Sequence, residues 1–314
     1  MGKVLVVKIK ITDRGAVKPT VSYKELSIDV SEDLQAARAV IQRTYKLEAA
    51  FDNLLCAYKE FKVQIYKENV ERLTMGGDID YIFDHESRAN LNRHVSNVLN
   101  LSKYYLDANI YDNQAKSFVL NVTGCQELHD EVTTEYRKEY DSNKEYVLGC
   151  ALRNIAQHRV LPVNNLCSGY DLGSDARGLV SRFTLPISKT EILGDPKLKN
   201  GLKKPLREYE GTPDVNIILD GYVYAISSFH NRNRDLSSDA YLAAVKYFEP
   251  LAKAFRKEFE SDNIDIDIVD IDEKGNEKRL FGLDMGWADV IPYLRNKNYG
   301  LVDPSKIELS CKPR

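Results

Sequence analysis

Residues 31–75, SEDLQAARAVIQRTYKLEAAFDNLLCAYKEFKVQIYKENVERLTM, contain neither proline nor glycine, and the next breaker is Gly76. Ser31 followed by Glu32 and Asp33 reads as a helix start: a serine oxygen takes up a free N–H, and acidic groups suit the positive end of the helix dipole. Leu34, Ala37, Val40, Ile41, Tyr45, Leu47, Phe51, Leu54, Leu55 and Tyr58 keep helical spacing. One long helix, broken at most once, is expected, ending at Met75-Gly76-Gly77-Asp78.

Working outward, Ile79 to Asp107 carries Leu91, Val95, Val98, Leu99, Leu101 and Tyr105 on one stripe, which predicts a second long helix. Residues 114–141 predict a third with a break at Gly124, and residues 142–161 a fourth ended by Pro162. Four such helices in succession pack naturally as an antiparallel bundle. Upstream, KVLVVKIKI (3–11) and TVSYKELSIDV (20–30) flank Gly15 and Pro19 and read as a β-hairpin. Downstream, SGYDLGSDARG (168–178) reads as a domain boundary. Beyond it the pattern predicts a strand over 180–187, a basic loop over 195–213 and helices over 214–233 and 236–260. A terminal hairpin follows around Lys274-Gly275-Asn276. The expected fold class is mainly α (α+β), in three parts: a hairpin over 1–30, a helical bundle over 31–167 and a mixed α/β region over 168–314.

The composition, with 43% hydrophobic and 29% charged residues in 314, is that of a folded globular protein. A net charge of -3 supplies no global basic field, so nucleic acid would be held by a local patch, which argues against a general DNA-coating role. Five scattered cysteines without a C-x-x-C spacing suggest neither a disulfide framework nor a zinc finger. No apolar run approaches the ~20 residues that span a bilayer, and the apolar run at the N-terminus is too short for a signal peptide. A cytoplasmic protein without a membrane partner is the expectation. Walker, dinucleotide, zincin and nucleophile-elbow motifs are all missing, which removes the usual supports for those chemistries.

The stretch with chemical content is Leu152-Arg153-Asn154-Ile155-Ala156-Gln157-His158-Arg159 on the fourth helix. At 100° per residue, Asn154 and His158 differ by roughly 40° and Arg153 and His158 by roughly 140°, so the three border the apolar arc of Leu148, Ala151, Leu152 and Ile155. An imidazole exchanges protons near neutral pH, and a guanidinium holds phosphate through two donors without a metal. Arg153, Asn154 and His158, on the last helix of an all-α bundle, resemble the R-x(4 to 6)-H motif of the HEPN superfamily. The resemblance covers roughly residues 31–165. It implies an endoribonuclease without metal or other cofactor, as found among bacterial toxins and antiviral defence proteins, with the motifs of a homodimer facing one another across a cleft. By position, Arg153 would stabilise the phosphate, Asn154 orient it, and His158 act as acid or base. An antitoxin or regulatory partner would accompany such a toxin.

Arg88 and His94 on the second helix form another match, leaving two positions open for the site. His158 and Arg159 also suit a plain helix C-terminus, where cations interact favourably with the last carbonyls. His230, Arg232 and Arg234 lie beside Tyr222, Tyr224 and Phe229, and Lys203, Lys204 and Arg207 sit in the basic stretch; both groups, together with Arg159, are candidate RNA contacts. Asp265, Asp267, Asp270 and Asp272 alternate with isoleucines, which predicts the charged face of an edge strand rather than a cation site.

Overall fold

Helix α1 (Ile28–Thr74) runs unbroken for 47 residues. It starts ahead of Ser31, so that serine is buried in the first turn instead of capping it. Helix α2 (Tyr81–Asn109) begins where the Asp80 carboxylate accepts the Phe83 N–H at 2.8 Å. The expected third helix is two, α3 (Phe118–Thr123) and α4 (Gln126–Ser142). They are split at Gly124, whose φ of 68° disfavours any residue with a Cβ. Helix α5 (Lys144–His158) starts at Asn143, whose side chain accepts the Tyr146 N–H at 2.9 Å. The computed structural model describes residues 4–11, 20–25, 28–74, 80–110, 117–158, 161–172, 179–194, 196, 200–258, 264–272, 274–282 and 286–300, and among the side chains outside this description are those at 157 and 158. The described residues are mainly helical, with small antiparallel sheets.

Beyond α5 the structure departs from the linear reading. The glycine-rich stretch opens as strand β3 (Cys167–Leu172), paired antiparallel with β4 (Leu179–Thr184), Leu172 opposite Leu179. Helix α6 (Lys189–Gly194) follows, and α7 (Asn200–Glu208) occupies much of the expected basic loop. Pro205 inside α7 forgoes one backbone hydrogen bond, while burial of Leu206 beside it favours the helix. The two expected helices after residue 214 are one, α8 (Val215–Glu258), 44 residues long. Asn233 and Ser237, which flank the expected break, are buried within it, and Asn233 accepts the Tyr136 hydroxyl at 2.7 Å. Strands β5 (Ile264–Ile271) and β6 (Glu277–Gly282) make the terminal hairpin, with Gly275 at φ 78° in the turn, and α9 (Gly286–Lys297) was not anticipated.

The first hairpin, β1 (Val4–Ile11) and β2 (Thr20–Glu25), joins the last one in a single sheet of order β2-β1-β5-β6, with Val7 paired to both Lys24 and Ile268. Strand β5 is therefore central. Asp267 is buried and receives the Arg279 Nε at 2.7 Å, so on this central strand it is not part of a solvated edge, whereas Asp272 past the strand's end is exposed.

Two compact units are each assembled from separated segments, unlike the three consecutive parts expected from the sequence. One comprises residues 1–49, 118–125 and 234–297. Its core sets Leu34 and Ile41 of α1, Tyr241 and Phe248 of α8 and Ile291 of α9 with Ile266, Ile268 and Phe281 of the sheet. The other comprises residues 50–117, 126–233 and 298–314. Phe51, Leu54, Phe61, Leu91, Leu99, Tyr105, Tyr146 and Tyr222 are its largest fully buried side chains. Helix α5 packs there against α2, α4 and α7. At Gly149 a Cβ would overlap the Tyr222 ring, and at Gly221 it would overlap the Glu145 side chain, so α5 and α8 approach closely because both positions lack side chains. Among the described residues no helix is long and apolar enough to cross a membrane.

Candidate functional site

The candidate site lies in the second unit, where α5 ends beside the middle of α2. Buried on several sides, α5 has little freedom to move: Tyr146, Val147, Leu148, Ala151 and Leu152 are all inside. The half-buried Arg153 donates from Nη1 to Asn154 Oδ1 at 3.0 Å, and its buried Nε has no hydrogen-bond partner. No carboxylate pairs with Arg153 among the described residues. The guanidinium is thus aligned by a neutral amide and keeps its whole positive charge. One turn earlier, burial pushes the Cys150 thiol up to about 11, against smaller downward pulls from Tyr222 and Tyr146 hydrogen bonds and from the charges of Lys103 and Arg153. Such a thiol is no nucleophile near neutral pH. The His158 backbone is the last turn of α5; its side chain and all of Arg159 lie outside the described residues.

Asn92 fixes the chain that leaves α5. Its side-chain amide donates to Val163 O at 2.8 Å and accepts the Val163 N–H at 2.8 Å, pairing with the backbone as a neighbouring strand would. That clamp sets the exit path of α5 and presents Leu161, which is 55% exposed. On one side of Leu161 an open groove of about 750 Å³ runs along α2, lined by Arg93, His94, Ser96, Asn97 and Asn100, with Glu60 opposite. The polar residues recur every three or four positions, so they form one face of the helix. Arg93, exposed, donates to Asn90, again a neutral amide. Arg88 instead lies over the Tyr81 ring, 5.4 Å from its centroid. Of the second motif it is therefore His94, beside Arg93, that lines the groove.

Leu161 also lines a cavity of about 280 Å³. Leu152 and Ile155 of α5, Pro186, Ile187 and Ile192 supply apolar wall. Asn164, Ser188 and Glu191 supply its polar groups. Asp214 holds one wall firmly: its carboxylate accepts the Leu185 N–H at 2.6 Å and the Asn216 N–H at 2.7 Å, while Ile187 N–H reaches Pro213 O at 2.9 Å.

The other candidate RNA contacts are placed differently. His230 is fully buried, stacked on Phe51 with ring centroids 3.8 Å apart and 3.1 Å from the Tyr105 hydroxyl through Nδ1. It is a core side chain, not a surface for RNA. Arg232 is bound to Glu131 and Glu135. Arg234 belongs to the first unit, where it and Arg295 clasp the fully buried Glu48 at 2.6 and 2.9 Å. Lys203 is buried at 9% exposure and donates to Leu193 O at 3.1 Å, whereas Lys204 and Arg207 are exposed on α7.

Sequence reasoning passed over the clamp at Asn92 and the cluster of Lys62, Asn216 and Asp220. In that cluster Lys62 Nζ is 2.7 Å from Asn216 Oδ1 and 2.9 Å from Asp220, and the Tyr58 hydroxyl donates to Asp220 at 2.6 Å. Burial, then the Asp220 charge and hydrogen bond, raise the Tyr58 pKa. No sequence motif announces either arrangement, because each joins residues far apart in the chain. Among the described residues no group of three or more His, Cys, Asp or Glu is placed to hold a metal ion. Compared with family models, with curated proteins and with solved structures, the chain finds no match.

Proposed function

We propose that the protein is a metal-independent endoribonuclease of the HEPN kind, with RNA lying along the α2 groove and the chemistry carried at α5. The observation that supports this reading is Arg153: half-buried, aligned by Asn154, and without a carboxylate to neutralise it among the described residues. A partly desolvated, uncompensated cation favours an anionic ligand, and a planar guanidinium matches a phosphate. Arg93 and His94 would hold the adjoining strand. In the proposed reaction a base removes the 2′-OH proton, the oxygen attacks phosphorus, and an acid protonates the leaving 5′ oxygen. His158 from each subunit of a homodimer would divide the two proton transfers, and the paired Arg153 side chains would offset the charge growing on the phosphoryl oxygens. The reading places the protein in the cytoplasm, as a toxin or antiviral defence effector held in check by an antitoxin or other regulatory partner.

Incubation of purified protein with a mixed RNA pool in chelator tests it. Wild type is expected to leave 2′,3′-cyclic phosphate and 5′-OH ends, with His158→Ala and Arg153→Ala inactive. Products bearing 5′-phosphate, or equal cleavage by all three proteins, would overturn the mechanism. The amide-rich groove on α2 supports a second reading, a non-catalytic RNA-binding or protein-interaction module. That reading predicts retention of RNA or of a protein partner with no cleavage and no change on substituting His158.

A further inference from the structure

We propose that the cavity between α5 and α6 is a guanine-binding subsite, which seats one base of an RNA whose backbone follows the α2 groove. The inference rests on the ribonuclease reading for its polynucleotide, but the pocket's own chemistry selects the base. Leu161, an exposed side chain, lines both the groove and the cavity, so the two adjoin there and a strand in the groove passes the cavity at that point. The volume of about 280 Å³ lies just below the usual range of ligand sites, ~300 to ~1,000 Å³, and suits a single ring system. Apolar walls from Ile155, Pro186 and Ile187 suit the faces of a heterocycle, as extruded bases are generally held between apolar or aromatic side chains.

The polar groups decide which base. Glu191, an exposed residue, is the sole charged one among those lining the cavity, which favours a neutral base with hydrogen-bond donors over a phosphate there. An ionised carboxylate only accepts hydrogen bonds. Guanine offers it two adjacent donors, N1–H and the N2 amine, matched to the two carboxylate oxygens. Adenine and cytosine pair one amine with a ring-nitrogen acceptor, and uracil flanks its N3–H with two carbonyls, so each sets a lone pair against the carboxylate. Asn164 and Ser188 can donate to guanine O6. The Ser188 oxygen accepts the Glu191 N–H at 3.3 Å, which leaves the hydroxyl proton available. None of these residues belongs to the proposed cleavage machinery.

Calorimetric titration with guanosine, adenosine, cytidine and uridine 3′-monophosphates, beside cleavage mapping on a mixed RNA pool, tests the assignment. Wild type is expected to bind the guanosine nucleotide at least ~10-fold more tightly than the others, and Glu191→Gln to lose ~10-fold or more of that preference, since a good bidentate pair discriminates by ~1–3 kcal/mol. Ile155→Trp, which fills the cavity, should abolish binding; if that variant fails to fold, Glu191→Gln alone decides. Equal binding of all four nucleotides, binding of none, or an unchanged preference in Glu191→Gln would overturn the proposal. Cleavage without guanosine preference or nucleotide binding would sink the subsite and leave the ribonuclease standing. Guanosine-selective binding without cleavage of any RNA would sink the ribonuclease and leave the subsite.

Discussion

The first compact unit and the candidate site of the second treat their arginines in opposite ways. In the first, Glu48 is fully buried between Arg234 and Arg295, and Asp267 is buried beneath Arg279, so each of these cations meets a carboxylate. In the second, Arg153 and Arg93 are steadied by the amides of Asn154 and Asn90. A carboxylate cancels the charge it orients; an amide orients without cancelling. The first arrangement holds a fold together, and the second leaves positive charge for an anion to meet. Arg232, bound to Glu131 and Glu135, and the buried Arg72, bound to Asp84 at 2.8 Å, are internal controls, cations of the structural kind within the unit that carries the candidate site.

The sharpest break in this contrast is expected at Glu48. Glu48→Ala strands two guanidiniums in a buried site and should cost ~3–5 kcal/mol of stability in denaturant unfolding. A loss below ~1 kcal/mol would show that the clasp is not structural. Next comes Asn92→Ala, which leaves the Val163 N–H and C=O without their amide partner; each unsatisfied group costs ~1–3 kcal/mol when buried. Asn92→Asp restores an acceptor but no donor and should recover only part of the loss.

Cys150 refines the picture of a tightly enclosed α5. Its thiol pKa is raised from 9.0 to about 11, so the folded chain holds that proton more tightly than the unfolded chain does. The associated stability is complete below pH 9.0 and lost as pH rises toward about 11. Cys150→Ala should flatten this part of the pH–stability curve, and the exposed Cys167 should alkylate well before Cys150 at neutral pH. The smallest effect on stability is expected for Arg153→Gln, at ~0.5 kcal/mol or less, although RNA cleavage is lost. A large loss of stability in Arg153→Gln would move that residue into the structural class and erase the contrast.

Much of the helical layout was legible because it depends on local periodicity and breakers: α1 to α5 follow from apolar spacing and from the glycines at 76, 77 and 124. The joining of the first and last hairpins was not legible. Strand pairing between residues 4–11 and 264–271 is decided by complementary registers across the whole chain, which no local window reports. The same limit explains His230: beside Arg232 and Arg234 it looks like part of a basic cluster, yet its place on α8 turns it onto Phe51 and Tyr105 while its neighbours point to carboxylates. Residues 200–208 misled for another reason, since Pro205 argues against a helix that tertiary burial of Leu206 nevertheless favours. Within the candidate site, Arg153 and Asn154 were visible from spacing. The Asn92 clamp that sets the α5 exit required the folded chain.

The central claim is that the amide-steadied cations are the ones available to RNA, and salt dependence reads this directly. Binding of a fluorescent single-stranded RNA would be followed by anisotropy across a potassium chloride series, in the His158→Ala background so that the RNA survives. Log affinity should fall linearly with log salt, with a slope of about −0.7 per phosphate neutralised on a single strand. Arg93→Gln and Arg153→Gln should each weaken binding and make that slope shallower by about 0.7, while Arg232→Gln and Arg279→Gln leave both unchanged. An unaltered slope in the first pair, or a shallower one in the second, would contradict the account.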